Sequence, residues 1–419
     1  MEPVEWNARR AVLVCTESGR EARLNLMNAS ASSTSASTVS ADTVFMDRAL
    51  ELAARGVALA SPNPLVGALL VRDGRVVGEG FHTYDGVRHA EIVALDAARE
   101  SARGAALYIN LEPCCHTGRT GPCTQALIAA GVARVVVAMA DPNPAVAGRG
   151  FRELRAAGIE VVSGLREAEA RRLNEAFARW IVSRKPLVTL KSARTLDGRL
   201  VLPDTQSGAH KNRRISENDR WISSPESRAE VQIMRHTSDA LLTGIGTVLV
   251  DDPLLTDRTG LPRRRKLLRV VLDSRLRLPL RSRLVRSADG DVLVFTRAKR
   301  DSPKASALRR AGVEVVHLAG RATKPDLLAA IADLGRREML SVLLEAGETL
   351  NSAALDAGIV DKMRVFLAPR IAGAAGKKTG AASAPKRIPA ARELHGVTME
   401  RFGPDFAIEG YLRDVYRTR

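Results

Sequence analysis

Apolar residues recur at helical spacing over residues 43–55, and Gly56 closes the stretch, which predicts an amphipathic helix. Two apolar runs, 65–71 and 76–78, flank Asp73-Gly74 and predict a β-hairpin. A helix from His89 through Ala98, a buried strand over 106–110, a short helix over 124–130 ended by Gly131 and a strand over 135–138 follow. A helix over 150–157 and a strand over 159–162 complete the first run, whose alternation predicts an α/β domain with helices layered on a sheet. A charged stretch, 167–180, reads as a linking helix.

A second α/β run opens at Pro186 with a strand through Lys191. Further strands are predicted over 240–243, 268–272, 292–296, 313–318, 341–344 and 363–368, separated by helices over 225–236, 304–311, 324–334 and 351–357. The Ala-, Gly- and Lys-rich stretch 372–391 reads as a flexible surface loop. At 419 residues the chain exceeds what one core supports. The expected organisation is a disordered leader over 1–42, a first domain over 43–163, a linker helix over 164–185 and a second domain over 186–419. The leader is Ser/Thr/Ala-rich and lacks the apolar run of a signal peptide, and its four glutamates disfavour a transit peptide.

The formal net charge of +17 suggests nucleic acid until it is divided along the chain. Residues 41–163 carry 13 acidic and 12 basic side chains, whereas residues 164–419 carry 30 acidic and 48 basic. A basic second half suits phosphorylated metabolites or a dinucleotide phosphate as well as it suits RNA, and for scattered arginines a solvated surface is the plainer reading. Aromatics make up 4% of the chain, too few to stack single strands, so nucleic acid is disfavoured as a partner. No apolar run is long enough to span a bilayer, so no membrane partner is expected. Four cysteines, three of them close together, point to a reducing, cytoplasmic setting rather than to disulfides.

The sharpest chemical signal is His89-Ala90-Glu91 followed by Pro113-Cys114 and Pro122-Cys123. One imidazole and two thiolates fill three of the four tetrahedral positions of Zn²⁺ and leave one for water, whose pKa the metal lowers toward neutrality. Residues two apart on a helix lie roughly 200° apart, so His89 can ligate while Glu91 moves protons from the substrate side. Nucleobase deaminases carry this H-x-E and P-C-x-x-C pattern, but here eight residues separate Cys114 from Cys123, which marks a different substrate. The alternatives are buried thiols, or a structural zinc site completed by His116. Neither has a use for the H-A-E triplet. Cys115 and His116 read as loop residues and Cys15 as incidental. The ligands are expected at helix N-termini, where the dipole favours thiolate.

The second half offers two weaker signals. Gly347 lies in a strand-to-helix turn and Gly244-Ile245-Gly246-Thr247 follows a strand; each suits phosphate, and two at neighbouring strand ends suit it better. No G-x-G-x-x-G run supports a Rossmann domain. From the residues alone this half binds a phosphorylated ligand, with its chemistry open.

Residues 46–413 resemble the bifunctional riboflavin-biosynthesis deaminase/reductase family. In the first half the resemblance rests on Pro62-Asn63-Pro64-Leu65-Val66-Gly67, the His89 and Cys114 to Cys123 motifs, and Asp141-Pro142-Asn143-Pro144. In the second it rests on Thr195-Leu196-Asp197-Gly198-Arg199, Trp221-Ile222-Ser223-Ser224-Pro225, Asp251-Asp252-Pro253, Leu272-Asp273-Ser274 and Glu345-Ala346-Gly347. It implies a cytidine-deaminase-like α/β/α domain followed by a dihydrofolate-reductase-like α/β domain. By resemblance zinc goes to His89, Cys114 and Cys123, proton transfer to Glu91 and the pyrimidine to Asn63. NADPH is implied at Ala193, Trp221, Thr247, Asp251, Ser274 and the run Gly347, Glu348, Thr349, Leu350, Asn351, Ser352 and Ala353. The ribosyl substrate is implied at Arg235, Leu255, Arg258 and Glu345, the two arginines being suited to phosphate.

The chain departs from the family pattern at Val93, where a second His is usual, and at Cys115 in place of Ser. In the second half it departs at Asp219, at Glu348 and in the basic insertion 210–214. An anion beside substrate or cofactor phosphates would weaken binding. The expected activity is hydrolytic deamination of a phosphoribosylaminopyrimidine followed by NADPH-dependent reduction of its ribosyl group, in a homo-oligomer. The competing readings are an active deaminase with a non-reducing second domain, and a basic, nucleic-acid-binding base deaminase.

Overall fold

The computed structural model describes residues 40–200, 221–318, 326–372 and 391–417. Cys15 and nearly all of the leader, the basic insertion with Asp219, and most of 372–391 lie outside these residues. Chain contacts divide the protein into two compact units, Met1–Ser183 with Leu261–Arg264, and Arg184–Gly260 with Arg265–Arg417.

The first unit runs α1 (Ala41–Ala54), β1 (Gly67–Arg72), β2 (Arg75–Phe81), α2 (Ala90–Ala98), β3 (Ala106–Leu111), α3 (Cys123–Ala130), β4 (Arg134–Met139), α4 (Arg149–Ala156), β5 (Glu160–Ser163), α5 (Glu167–Leu173) and α6 (Glu175–Ser183). Its sheet has the order β2-β1-β3-β4-β5, with β1 antiparallel to both neighbours and β3, β4 and β5 parallel. Asp73 (φ 52°) and Gly74 (φ 72°) both turn left-handed, as a two-residue hairpin loop requires, and so fix the register of β1 on β2. On β2 two glycines let α2 lie against the strand backbone. A Cβ at Gly78 would meet Ala94 O at 2.2 Å, and one at Gly80 would meet Ala90 O at 2.4 Å. That close approach sets the depth of the first turn of α2, where His89 and Glu91 sit. Beneath it Leu70, Ala94, Leu107, Ile109, Leu127 and Val137 form a continuous buried core; each fully buried leucine or isoleucine in it contributes roughly 1.5–3 kcal/mol.

The stretch expected as one linking helix is two helices, and both belong to the first unit. The break falls at Asn174, which is 1% exposed. Its side chain accepts from Leu65 N (2.8 Å) and donates to Leu65 O (3.0 Å). Asn110 also donates to Leu65 O (2.8 Å) and accepts from Gly67 N (2.9 Å). A half-buried peptide group just before β1 needs partners, and supplying them outweighs continuing the helix.

The second unit runs β6 (Leu187–Thr195), α7 (Pro225–His236), β7 (Ala240–Gly244), α8 (Ile245–Asp251), β8 (Leu268–Leu272), α9 (Arg283–Arg286), β9 (Val292–Thr296), α10 (Pro303–Arg310), β10 (Val313–His317), α11 (Leu327–Arg336), β11 (Ser341–Glu345), α12 (Glu348–Asp356), β12 (Lys362–Ala368), β13 (His395–Phe402) and β14 (Asp405–Tyr411). Its sheet has the order β10-β9-β8-β7-β11-β6-β12-β14-β13. The seven strands from β10 to β12 are parallel, and the β13–β14 hairpin closes one edge antiparallel. Ser224 and Ser302, each followed by Pro, cap α7 and α10, as their sequence announces.

Two expectations are corrected here. The stretch 244–247 does not form a loop, because α8 begins at Ile245 and buries Ile245 and Val248. The run from Gly347 to Ala353 is a helix start, since α12 begins at Glu348, three residues before the predicted point. The α/β architecture of both halves is as expected.

Candidate functional site

In the first unit the chain delivers three ligand atoms to one point. His89 is the N-cap of α2 and Cys123 opens α3, so two ligands stand at helix N-termini as expected; Cys114 follows the end of β3. His89 Nδ1 lies 3.2 Å from Cys123 Sγ and 3.4 Å from Cys114 Sγ, and the three ligand atoms fall within 4.8 Å of one another. A tetrahedral zinc with ordinary bond lengths puts about 3.5 Å between nitrogen and sulfur ligands, so the donor set fits one ion. His116 is exposed and is not part of this group.

Hydrogen bonds from the Cys123 thiol and His89 bring the Cys114 thiol down to about 4. Donating to Cys114, together with burial, pushes the Cys123 thiol up. Cys114 is thus the sulfur inclined to the thiolate form that a cation requires. Glu91, in the first turn of α2, is 3% exposed. Burial, with the negative Cys114 nearby, raises its carboxyl to about 6. A carboxyl tuned this way exchanges protons near neutral pH.

Asn63 stands at the same site. Its Nδ2 lies 2.9 Å from His82 Nε2, and the His82 ring meets that of His89 edge-on at 5.5 Å. Burial lowers the His82 pKa, and its Nδ1 lies 2.9 Å from Arg88 O. Sequence reasoning missed His82, because a single histidine two residues after a glycine in a strand carries no ligand spacing. It also missed Glu112. This buried carboxylate accepts four backbone N–H groups, from Asp141 (3.1 Å), Gly148 (2.9 Å), Gly150 (2.9 Å) and Phe151 (3.3 Å). They draw the 141–151 segment against the residue pair that precedes Cys114.

In the second unit some of the expected residues lie at or just after the carboxyl ends of parallel strands. Glu345, ending β11, pairs with Arg235 of α7 through two bonds of 2.7 and 2.9 Å. Arg235 also donates to Thr256 O (3.2 Å), beside Leu255. Leu255 is buried in a left-handed conformation (φ 56°) that a leucine rarely adopts, and fully buried Arg269 holds the preceding carbonyl at 3.0 Å. Burial would raise Glu345, yet the Arg235 hydrogen bonds and the Lys191 charge keep it below the usual carboxylate range. Lys191, opposite Glu345 across the β6–β11 ladder, has its ammonium pKa lowered by burial. A lysine in an apolar strand run has no motif around it, and sequence reasoning passed over it.

Thr247 lies in the first turn of α8, Ser274 follows β8, and Gly347 is the N-cap of α12 with no side-chain cap. Asn351 donates to Ala346 O (3.0 Å), while its buried Oδ1 has no partner among the described residues, which leaves an acceptor for a ligand. Glu348 lies 3.5 Å from Arg194, which offsets part of its charge. Ala193 sits on β6 beside Arg194. Arg258 is exposed and its N–H is held by Gln232 (3.1 Å). Asp251, which ends α8, is also exposed. Trp221 is 53% exposed, its carbonyl bonded to Arg370 (2.9 Å) and its ring 5.3 Å from Arg228.

Comparison with known proteins agrees with this geometry. Residues 39–139 match the cytidine and deoxycytidylate deaminase zinc-binding region, and residues 186–408 match the RibD C-terminal domain. The chain is 42% identical over 329 residues to riboflavin biosynthesis protein RibD of Aquifex aeolicus, covering 78% of this chain and 87% of that protein. Against the Escherichia coli RibD the identity is 39% over 375 residues, covering 87% and 97%. Among solved structures, Acinetobacter baumannii RibD matches with a TM-score of 0.73 at 35% identity, covering 88% of this chain and 98% of that one. A Thermotoga maritima diaminohydroxyphosphoribosylaminopyrimidine deaminase/5-amino-6-(5-phosphoribosylamino)uracil reductase matches with a TM-score of 0.72 at 34% identity, with the same coverage. With a His/Cys/Cys zinc site in one domain and a reductase sheet in the other, the chain belongs to the RibD family of bifunctional riboflavin-biosynthesis deaminase/reductases.

Proposed function

We propose that the first unit deaminates 2,5-diamino-6-(5-phosphoribosylamino)pyrimidin-4-one to the corresponding uracil, and that the second reduces the ribosyl group of that product to ribityl with NADPH. When bound, zinc supplies a water that ionises near neutral pH, and NADPH supplies a hydride. Hydrolysis exchanges the ring C–NH₂ for C=O and releases ammonia. The Glu91 carboxylate takes the proton that the water gives up and returns it to the departing nitrogen, a task suited to a group titrating at about 6. Asn63, aligned by neutral His82, orients the pyrimidine edge. The burial of Glu91 beside three convergent ligands is the single observation that carries this half.

In the second unit the first turn of α12 offers backbone N–H groups to a dinucleotide phosphate, with Thr247, Asp251, Ser274, Ala193 and Trp221 completing the cofactor site. Arg235 and Arg258 hold the substrate phosphate, Leu255 packs on the substrate, and Glu345 sets the Arg235 fork. Lys191 lies beside that pair, its ammonium pKa lowered by burial. The enzyme works in the cytoplasm as a homo-oligomer; among the described residues no helix is long and apolar enough to cross a membrane.

The test is to incubate the purified protein with the pyrimidine phosphate, with and without NADPH, and to identify the products by mass. Deamination is expected in both reactions and the ribityl product only with NADPH. A deaminated product that NADPH does not carry further would leave the second unit as a binding domain.

A further inference from the structure

The first unit contains four residues that the sequence places elsewhere. Leu261–Arg264 belong to it by contact, although they fall within the stretch matching the RibD C-terminal domain and far from the zinc-binding match at 39–139. Arg264 makes several of those contacts. Its backbone N–H donates to Ala58 O (2.9 Å), its Nη1 to Ser61 O (3.0 Å) and its Nε to Asp85 Oδ1 (3.0 Å). Its guanidinium also lies over the Tyr84 ring, 3.7 Å from the centroid.

These partners sit on the two loops that carry the substrate-facing side chains. Ser61 is two residues before Asn63, and Tyr84 is two after His82; Asn63 and His82 meet at 2.9 Å. The loops are joined by one backbone bond, Tyr84 N to Leu59 O at 3.1 Å. Arg119, from the long segment between Cys114 and Cys123, donates to Tyr84 O (3.2 Å) and lies 4.4 Å from the same ring centroid. Arg264 therefore spans the 58–61 and 84–85 loops, on a ring that also touches the metal-ligand segment. No zinc ligand is among its partners. A guanidinium suits the task because its planar fork can bond a carbonyl and a carboxylate while its face stacks on an aromatic ring, which an ammonium cannot do.

We propose that Arg264 is a positioning residue for deamination, holding the Asn63 and Tyr84 loops at the separation the pyrimidine must bridge. The proposal rests on the reading of Asn63 as a pyrimidine contact. Displacing a contact by an ångström leaves the metal chemistry in place but weakens capture of the substrate. In the full-length protein Arg264→Ala should raise the deamination KM by about tenfold or more with kcat little changed. Zinc content and the kinetics of reducing the deaminated substrate should stay at wild-type values. Arg264→Lys should recover little of the loss. Tyr84→Leu should give the same KM signature, and the double variant should be no worse than the more affected single one.

An unchanged KM in Arg264→Ala, a loss of zinc together with kcat, full rescue by lysine, or additive effects in the double variant would each overturn the proposal. Asn63→Ala separates its failure from that of the underlying reading. If Asn63→Ala raises KM and Arg264→Ala does not, the bracing role alone is wrong; if Asn63→Ala changes nothing, the pyrimidine assignment itself is wrong.

Discussion

The zinc site and the reductase site are built on opposite plans. In the first, one ion's bond lengths dictate the arrangement. Two helix starts and one strand end bring three atoms within 4.8 Å of each other, and glycines on β2 set the depth of the helix that carries Glu91. In the second, no single atom organises the site. Glu345 meets Arg235 of α7 and faces Lys191 across the β6–β11 ladder, while Thr247, Ser274 and Asn351 lie on segments that follow β7, β8 and β11. A metal site fails when one ligand is lost, whereas a strand-end site is expected to degrade by steps.

The sharpest way to break that contrast is to act on the metal. Removing zinc with a chelator, or substituting Cys123→Ala, should abolish deamination while leaving NADPH-dependent reduction of the pre-deaminated substrate intact; parallel loss of both activities would show that the two sites do not fail independently. Next in size, Glu91→Gln should retain stoichiometric zinc by elemental analysis and lose about 10²–10⁴-fold in deamination kcat. The wild-type pH profile sharpens this. Because the folded Glu91 carboxyl titrates at about 6, it is protonated below that pH and cannot accept a proton, so kcat/KM should fall on the acid side of about 6. Glu91→Gln should lack this limb.

Smaller effects belong to the second site. Arg235→Lys keeps the charge but loses the fork, and should raise the KM of the reductase substrate about tenfold with kcat within a few-fold. The smallest is Glu348→Gln, which removes an anion from the first turn of α12 and frees Arg194. NADPH should bind a few-fold more tightly by fluorescence titration, since a charge at a helix terminus contributes about 0.3–1 kcal/mol. Weaker binding would mean that Glu348 contacts the cofactor favourably.

The same contrast explains what could be read in the sequence. His89, Glu91, Cys114 and Cys123 lie in contiguous motifs whose spacing already encodes tetrahedral chemistry, and their surroundings follow ordinary helix and strand periodicity. Most of the parallel strands of the second sheet were equally legible, being short apolar runs such as Val292–Thr296. β13 and β14 were not, because His395–Phe402 exposes most of its residues at the sheet edge and its short Val397/Met399 alternation is cut by the charged pair Glu400-Arg401. The start of α12 was missed because Glu348 and Thr349 look like turn residues until Gly347 is seen as the cap. Lys191 and Glu112 act through partners that folding alone supplies. Arg264 bonds Asp85 across 179 positions, a relation no local pattern can carry.

Asn174 bears on how the gene can be divided. A polypeptide stopped where the last strand of the first sheet ends, at Ser163, would retain every zinc ligand and Glu91 yet leave the peptide group of Leu65 without one of its two amide clasps, two residues from Asn63. The excised fragment would bind metal and still present its substrate loop loosely; extending it through Ser183 restores the Asn174 clasp, while the Arg264 brace stays with the full-length chain.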